Sequence, residues 1–145
     1  MTAQDNSHIR VGIIGAGQNT KNVHIPNLQA IPGVEILEVA NRTIKSAKQA
    51  AREFKIPVVR ERWQEVATSK ELDAVVIGTW PYLHCQATCM ALKTGKHVLC
   101  EARMAMNVRE AEQMLRASRE RPDKVVQIVP SPFTLKVDSI VKEYL

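Results

Sequence analysis

The 145-residue sequence is poor in aromatics, with two Trp, two Tyr and two Phe, and it has three cysteines and no long apolar run. Without a stretch of about twenty apolar residues no membrane-spanning helix is expected. The first residues, Met1 to His8, have neither the basic end nor the apolar centre of a signal peptide. The chain is therefore expected to be soluble and cytoplasmic, with residues 1–7 a disordered lead. An odd cysteine count argues against a disulfide framework and suits a reducing compartment. Cys85 and Cys89 stand one helical turn apart and Cys100 ends a predicted strand, but no further Cys or His cluster completes four ligands. The cysteines are read as core residues and no metal site is expected. The formal charge of +5 is moderate and its basic residues are scattered. With few aromatics and no nucleic-acid motif, nucleic acid is not an expected partner, whereas a phosphate-bearing cofactor is compatible with the charge.

What is present is one domain's length of alternating apolar runs and amphipathic segments, organised around Val11 to Thr20. Ile9 to Ile14 is a nearly continuous apolar run, the pattern of a strand buried on both faces, and it runs into Gly15-Ala16-Gly17. A helix is expected from about Asn22 to Ile31 with Pro26 in its first turns, then a strand from Val34 to Ala40 and a helix capped by Thr43 through Phe54. Pro57 to Val59 reads as a third strand and Arg62 to Ser69 as a short helix turning Trp63 and Val66 inward. Asp73 to Ile77 reads as a fourth strand, Pro81 to Lys93 as a helix ending before Gly95, and His97 to Cys100 as a fifth strand. A helix capped by Asn107 follows through Arg119, then a sixth strand from Val125 to Val129. The alternation predicts an α/β fold: a Rossmann-type doubly wound, mostly parallel six-stranded sheet with helices on both faces. Residues 8–130 form the expected dinucleotide-binding domain. The amphipathic segment over 131–145, with Leu135, Ile140, Val141 and Leu145, is expected to begin a connection to a further C-terminal domain.

Such sheets bind ligands at the carboxyl ends of their strands, which puts the loops after Ile14, Ala40, Ile77 and Cys100 on one rim. Gly15 and Gly17 suit a tight turn with close backbone approach, and the following helix offers unpaired amides to a pyrophosphate. The third glycine of the usual G-x-G-x-x-G pattern is Thr20. Asn41-Arg42-Thr43 ends the second strand about twenty residues on, where a carboxylate would accept from the ribose hydroxyls of NAD. Asn41 removes the repulsion of a 2′-phosphate and Arg42 supplies a planar cation for it, so NADP is expected over NAD, with NAD the alternative. Gly78-Thr79-Trp80 leaves the fourth strand close to a bound ligand, with Trp80 offering a flat face. His84 lies one turn further, a position more often filled by a structural hydrogen-bonder than by a catalyst. Glu101 ends the fifth strand on the same rim, where a carboxylate is costly to bury without partners.

Gly15-Ala16-Gly17 with His24 and Pro26 downstream, Asn41 to Thr43, Thr79 to His84, Gly95 to Glu101 and Gln127 to Pro132 occur in one order along nearly the whole chain. Together they resemble the amino-terminal domain of the glucose-fructose oxidoreductase, inositol dehydrogenase and rhizopine-catabolism (Gfo/Idh/MocA) family. The resemblance implies the nucleotide-binding half of an NAD(P)-dependent oxidoreductase that moves hydride between the nicotinamide and a sugar, polyol or related hydroxy compound. It implies a second domain carrying most of the substrate site and usually the oligomer interface. Gly15 to Asn19, including Gln18, with Asn41 to Thr43, Gly78 to Trp80, His84 and Glu101 would bind the cofactor. Two departures stand out. The family's Glu-Lys-Pro reads Glu101-Ala102-Arg103, so the lysine expected at the reacting oxygen is alanine, leaving Glu101 and Arg103 as catalytic candidates. The family's Thr-Pro reads Thr79-Trp80. The alternative reading is a non-catalytic dinucleotide sensor or regulatory module, and a weaker third is a related fold binding S-adenosylmethionine.

Overall fold

The elements follow from where the apolar residues fall. In the computed structural model, which describes residues 8–130 and position 143, six strands alternate with helices. They are β1 (Ile9–Ile14), α1 (Ile25–Gln29) after a π-helical Thr20–His24, β2 (Val34–Ala40), α2 (Ile44–Phe54), β3 (Val58–Arg60) and α3 (Trp63–Thr68). There follow β4 (Ala74–Ile77), α4 (Pro81–Lys93), β5 (His97–Cys100), α5 (Val108–Arg119) and β6 (Val126–Ile128). The expected lead over 1–7 and the apolar positions of the 131–145 segment lie outside the described residues.

The strands form one sheet in the order β3-β2-β1-β4-β5-β6, and every pairing is parallel. Parallel neighbours need a crossover helix between them, and burial on both faces explains why β1 and β4 read as unbroken apolar runs. Successive residues of β4 serve opposite sides: Val75 and Ile77 enter a core with α3, α4 and Met114 of α5, whereas Val76 enters a second core with Ile25 of α1 and Ala50 and Ala51 of α2. The order reverses between β1 and β4, and that reversal opens the crevice above their carboxyl ends.

Two caps fix the helices near that crevice. Thr43 Oγ1 accepts from Ser46 N at 3.2 Å, and Asn107 Oδ1 accepts from Glu110 N at 3.0 Å. Each satisfies an otherwise unpaired amide and contributes about 1 kcal/mol.

The first helix departs from expectation. Helical backbone begins at Gln18 rather than near Asn22, passes through the π-helical turn, and only then becomes α-helical at Ile25. The Ile25 N–H reaches Thr20 O, one residue further back than an α-helix requires. Pro26 gives the reason: it has no N–H to donate, and its ring crowds the carbonyl four residues earlier, so the turn before it widens.

One charged residue lies inside the sheet. Glu38 of β2 is 2% exposed and takes two hydrogen bonds from Arg60, at 3.0 and 2.8 Å, and one from Ser69 Oγ at 2.8 Å. Lys96 is equally buried; its burial lowers the ammonium pKa, and the Glu38 and Asp73 carboxylates oppose that shift. At the opposite end of the strands, Asp73 accepts from the Arg10 backbone N–H and from two nitrogens of its guanidinium, fastening β1 to the start of β4.

The cysteines lie in the α4 side of the sheet. Cys85 and Cys100 are buried and Cys89 packs against them. Burial pushes the Cys89 thiol up to about 11 and the Cys100 thiol up to about 12, so both stay protonated at neutral pH.

Candidate functional site

A cleft of about 790 Å³ opens at the carboxyl ends of β1, β2, β3 and β4. Its walls come from the glycine turn after β1, from Ala40 to Arg42 and Ser46, from Glu61 to Gln64, and from Gly78 to Trp80 with Tyr82 and Leu83.

The floor is built by backbones that touch. Gly15 sits at φ +90°, a conformation L side chains rarely adopt, and a Cβ there would come within 2.6 Å of Thr79 Cγ2. Gly15 N donates to Ala40 O and Gly78 N donates to Ile14 O, so the turn after β1 is tied to the end of β2 and the turn after β4 to the end of β1. A Cβ on Gly78 would overlap Thr20 Oγ1 and lie 2.5 Å from Gly15 O. Thr20, in the position of the missing third glycine, is 1% exposed and fills the space that Gly78 leaves. The close helix-to-strand approach that a third glycine normally provides is thus made from the partner strand. The helix opening at Gln18 leaves its first N–H groups without intrahelical acceptors beside this turn. A glycine-lined cradle with exposed amides fits a pyrophosphate.

Around the cradle, the expected site residues separate into groups. Asn41 accepts from Ala16 N at 2.6 Å through Oδ1, which fixes its amide orientation because the donor is a backbone N–H, and it braces the glycine turn. Arg42 is exposed on the cleft wall and makes no hydrogen bond among the described residues. Thr43 acts as the cap of α2, while Ser46 of that helix lines the cleft. Gln18 bonds Asn22 along the helix surface at 3.0 Å. Trp80 is 72% exposed on the cleft wall beside Tyr82 at 57%. His84 is fully buried, with Nε2 2.9 Å from Thr79 O and Nδ1 2.9 Å from Arg103 O. It ties the loop after β4 to the loop after β5 instead of lining the cleft.

Glu101 stands apart from the cleft, across the glycine turn. Its Oε1 accepts from Asn19 Nδ2 and faces His24 Nε2 at 2.5 Å, and its Oε2 accepts from Ala102 N at 3.0 Å. Burial pushes the carboxyl upward, but His24, Asn19 and the Ala102 N–H together outweigh it and hold the pKa below the usual carboxylate value. Glu101 is thus a fixed anion. Arg103 presents an exposed side chain and gives its carbonyl to His84.

Several neighbours escape a sequence reading. His24 reaches Glu101 because the π-helical turn sets its rotation, which spacing alone does not reveal. Glu61 and Arg62 line the cleft from the loop after β3, and Trp63 from the first position of α3. Arg62 follows the observed end of β3 at the offset at which Arg42 follows β2, an equivalence hidden in the sequence because the third strand reads as ending at Val59 rather than Arg60. Among the described residues no three His, Cys, Asp or Glu side chains gather as a metal site would require, and no helix is long and apolar enough to cross a membrane.

A model of the Gfo/Idh/MocA grouping, an oxidoreductase family with an NAD-binding Rossmann fold, matches residues 9–128. The chain is 31% identical over 113 residues to trans-1,2-dihydrobenzene-1,2-diol dehydrogenase of Danio rerio, covering 77% of this chain and 34% of that protein. The chain spans about a third of the length of the curated relatives it matches. A 3-ketoreductase from Actinomadura kijaniata, solved in an open conformation with TDP-benzene and NADP, is similar with a TM-score of 0.75 and 30% identity over 83% of this chain and 38% of that one. A scyllo-inositol dehydrogenase from Lactobacillus casei, solved with NAD(H) and scyllo-inositol, shares the fold with a TM-score of 0.77 at 22% identity, over 83% of this chain and 36% of that one.

Proposed function

Since the chain belongs to the Gfo/Idh/MocA oxidoreductase family, we propose that it is the cofactor-binding part of an NADP-preferring oxidoreductase acting on a sugar, polyol or related hydroxy compound. The observation that carries this reading is the glycine cradle of Gly15, Gly17 and Gly78 opening onto a cleft whose second-strand end is the neutral Asn41 followed by an uncommitted Arg42. Gly15, Gly17 and the amides from Gln18 onward would hold the pyrophosphate. Asn41, Arg42 and Thr43 would face the adenosine ribose and its 2′-phosphate, which a carboxylate at position 41 would repel. Gly78, Thr79, Trp80, Asn19 and Glu101 border the nicotinamide side, and His84 holds the two loops of that side together. NAD is the alternative cofactor.

The nicotinamide, when bound, supplies the hydride donor or acceptor. The chain's own residues bind, orient and exclude water. Glu101, ionised and fully hydrogen-bonded, orients and does not donate a proton. The Ala102 side chain has no proton to give, and the planar guanidinium of Arg103 suits orienting an anionic group. The isolated chain therefore binds cofactor with little turnover. In this reading residues 8–130 are the dinucleotide-binding unit in a cytoplasmic protein, and 131–145 lead toward a further domain that supplies most of the substrate site and the contacts of a homo-oligomer. Ala102 favours a second reading, a non-catalytic dinucleotide sensor.

Titrating the 145-residue chain with NADPH, NADH and S-adenosylmethionine tests the assignment by intrinsic fluorescence, since Trp80 and Trp63 line the cleft. NADPH is expected to bind most tightly. Binding of S-adenosylmethionine with neither nicotinamide cofactor would reject both readings.

A further inference from the structure

We infer that Arg62 is a second specificity-determining residue of the cleft, acting with Arg42 as a pair of guanidiniums for a phosphate monoester on the adenosine ribose. The inference rests on the dinucleotide reading above and deepens it.

The sheet register brings the pair together. β2 and β3 are parallel neighbours, with Ala40 beside Arg60. Adjacent strands run about 4.8 Å apart. Two residues beyond each of these partners the chain reaches Arg42 and Arg62, and both line the same cleft. They are the only cations among its described lining residues.

Their commitments differ from those of the arginine between them and the core. Arg60 is used up, with two hydrogen bonds to the buried Glu38. The Arg62 side chain is 75% exposed, and its one ion pair among the described residues is with Glu65 Oε1 at 4.0 Å. The other Glu65 oxygen accepts from the Arg62 backbone N–H at 2.9 Å, so that carboxylate is anchored to the main chain. The Arg62 guanidinium keeps its donors for an incoming anion.

A phosphate monoester carries close to two negative charges at neutral pH, with a second pKa of about 6. One guanidinium neutralises half of that charge. Two planar forks from adjacent strand ends match both the charge and the several acceptor oxygens. Glu61 lines the same wall and repels such an anion. A second cation offsets that repulsion, which Arg42 alone does not.

The test uses the chain with adenosine 2′,5′-bisphosphate and adenosine 5′-monophosphate as probes, followed by calorimetry, for wild type, Arg62→Ala and Arg42→Ala. Arg62→Ala is expected to weaken the bisphosphate about tenfold or more while leaving the monophosphate within about twofold, the scale of one charge-assisted contact. Binding of the monophosphate also reports that the variant is folded. An Arg62→Ala chain that keeps wild-type affinity for the bisphosphate, or that loses both probes equally, overturns the role of Arg62 while the cofactor reading stands. Failure of the wild-type chain to bind either probe rejects the underlying reading instead.

Discussion

Replacing Glu38 by Gln removes one charge from inside the sheet and changes almost nothing else. The side chain keeps its volume, so no cavity forms, and its amide oxygen still accepts one hydrogen bond. What is lost is the anion that takes two hydrogen bonds from Arg60 and opposes the burial of Lys96. Removing one partner of a fully buried pair costs about 3–5 kcal/mol. The figure here is smaller, because the Arg60 side chain is 37% exposed and water can still solvate it. Lys96, at 2% exposure, has no such outlet. A loss of about 2–3 kcal/mol is expected, read as a shift in urea midpoint at unchanged slope. The pH dependence identifies the cause. A lysine whose folded pKa lies below its ordinary 10.5 destabilises the fold fully below the folded pKa, and the penalty fades as pH rises through that value. The Gln variant lowers the Lys96 pKa further, so its deficit shrinks toward alkaline pH and begins to shrink earlier than in wild type. Adding Lys96→Met to the Gln variant should restore more than half of the loss. A Gln variant within about 0.5 kcal/mol of wild type, or a deficit insensitive to both pH and Lys96→Met, refutes the argument that Glu38 is there to hold buried cations.

Gly78→Ala places a Cβ against Thr20 Oγ1 and 2.5 Å from Gly15 O and should cost about 1–3 kcal/mol in a denaturant melt; Thr20→Gly in the same chain should recover only part of it, because the clash with the Gly15 backbone carbonyl remains. Arg42→Ala is expected to weaken NADPH about 10- to 100-fold and leave NADH nearly unchanged, as one charge-assisted contact is worth about 1.5–3 kcal/mol; an equal loss for both cofactors would assign Arg42 to adenine or to structure. Asp73 is held below its ordinary 3.8 by its hydrogen bonds from Arg10, so its contribution is present above that value and disappears as pH falls through the folded pKa. Urea midpoints of Asp73→Asn and wild type should therefore differ at neutral pH and converge in acid, by less than about 1 kcal/mol since the pair is partly exposed.

The order of the elements was legible because local rules agreed: unbroken apolar runs for strands buried on both faces, Thr43 and Asn107 as caps, and a residue able to take φ +84° at Gly95 after α4. What escaped were features set by a partner far away in sequence. Glu38 reads as an ordinary polar interruption of β2 until Arg60, Ser69 and Lys96 arrive around it. The π-helical turn depends on a conflict between Pro26 and the turn before it, which a capping rule does not contain. The two departures from the family pattern show the distinction most sharply. A third glycine matters because it lets two backbones come close, and either backbone can omit the Cβ; Gly78 omits it, so the fingerprint broken at Thr20 in sequence is complete in space. A lysine matters for an amine on a flexible stem, which only another side chain of that kind could replace. Glu101 instead takes its hydrogen bonds from Asn19, His24 and the Ala102 N–H, none of which is such a group. The glycine turn therefore keeps its close approach through packing on the other strand, whereas none of the partners of Glu101 carries an amine on a flexible stem.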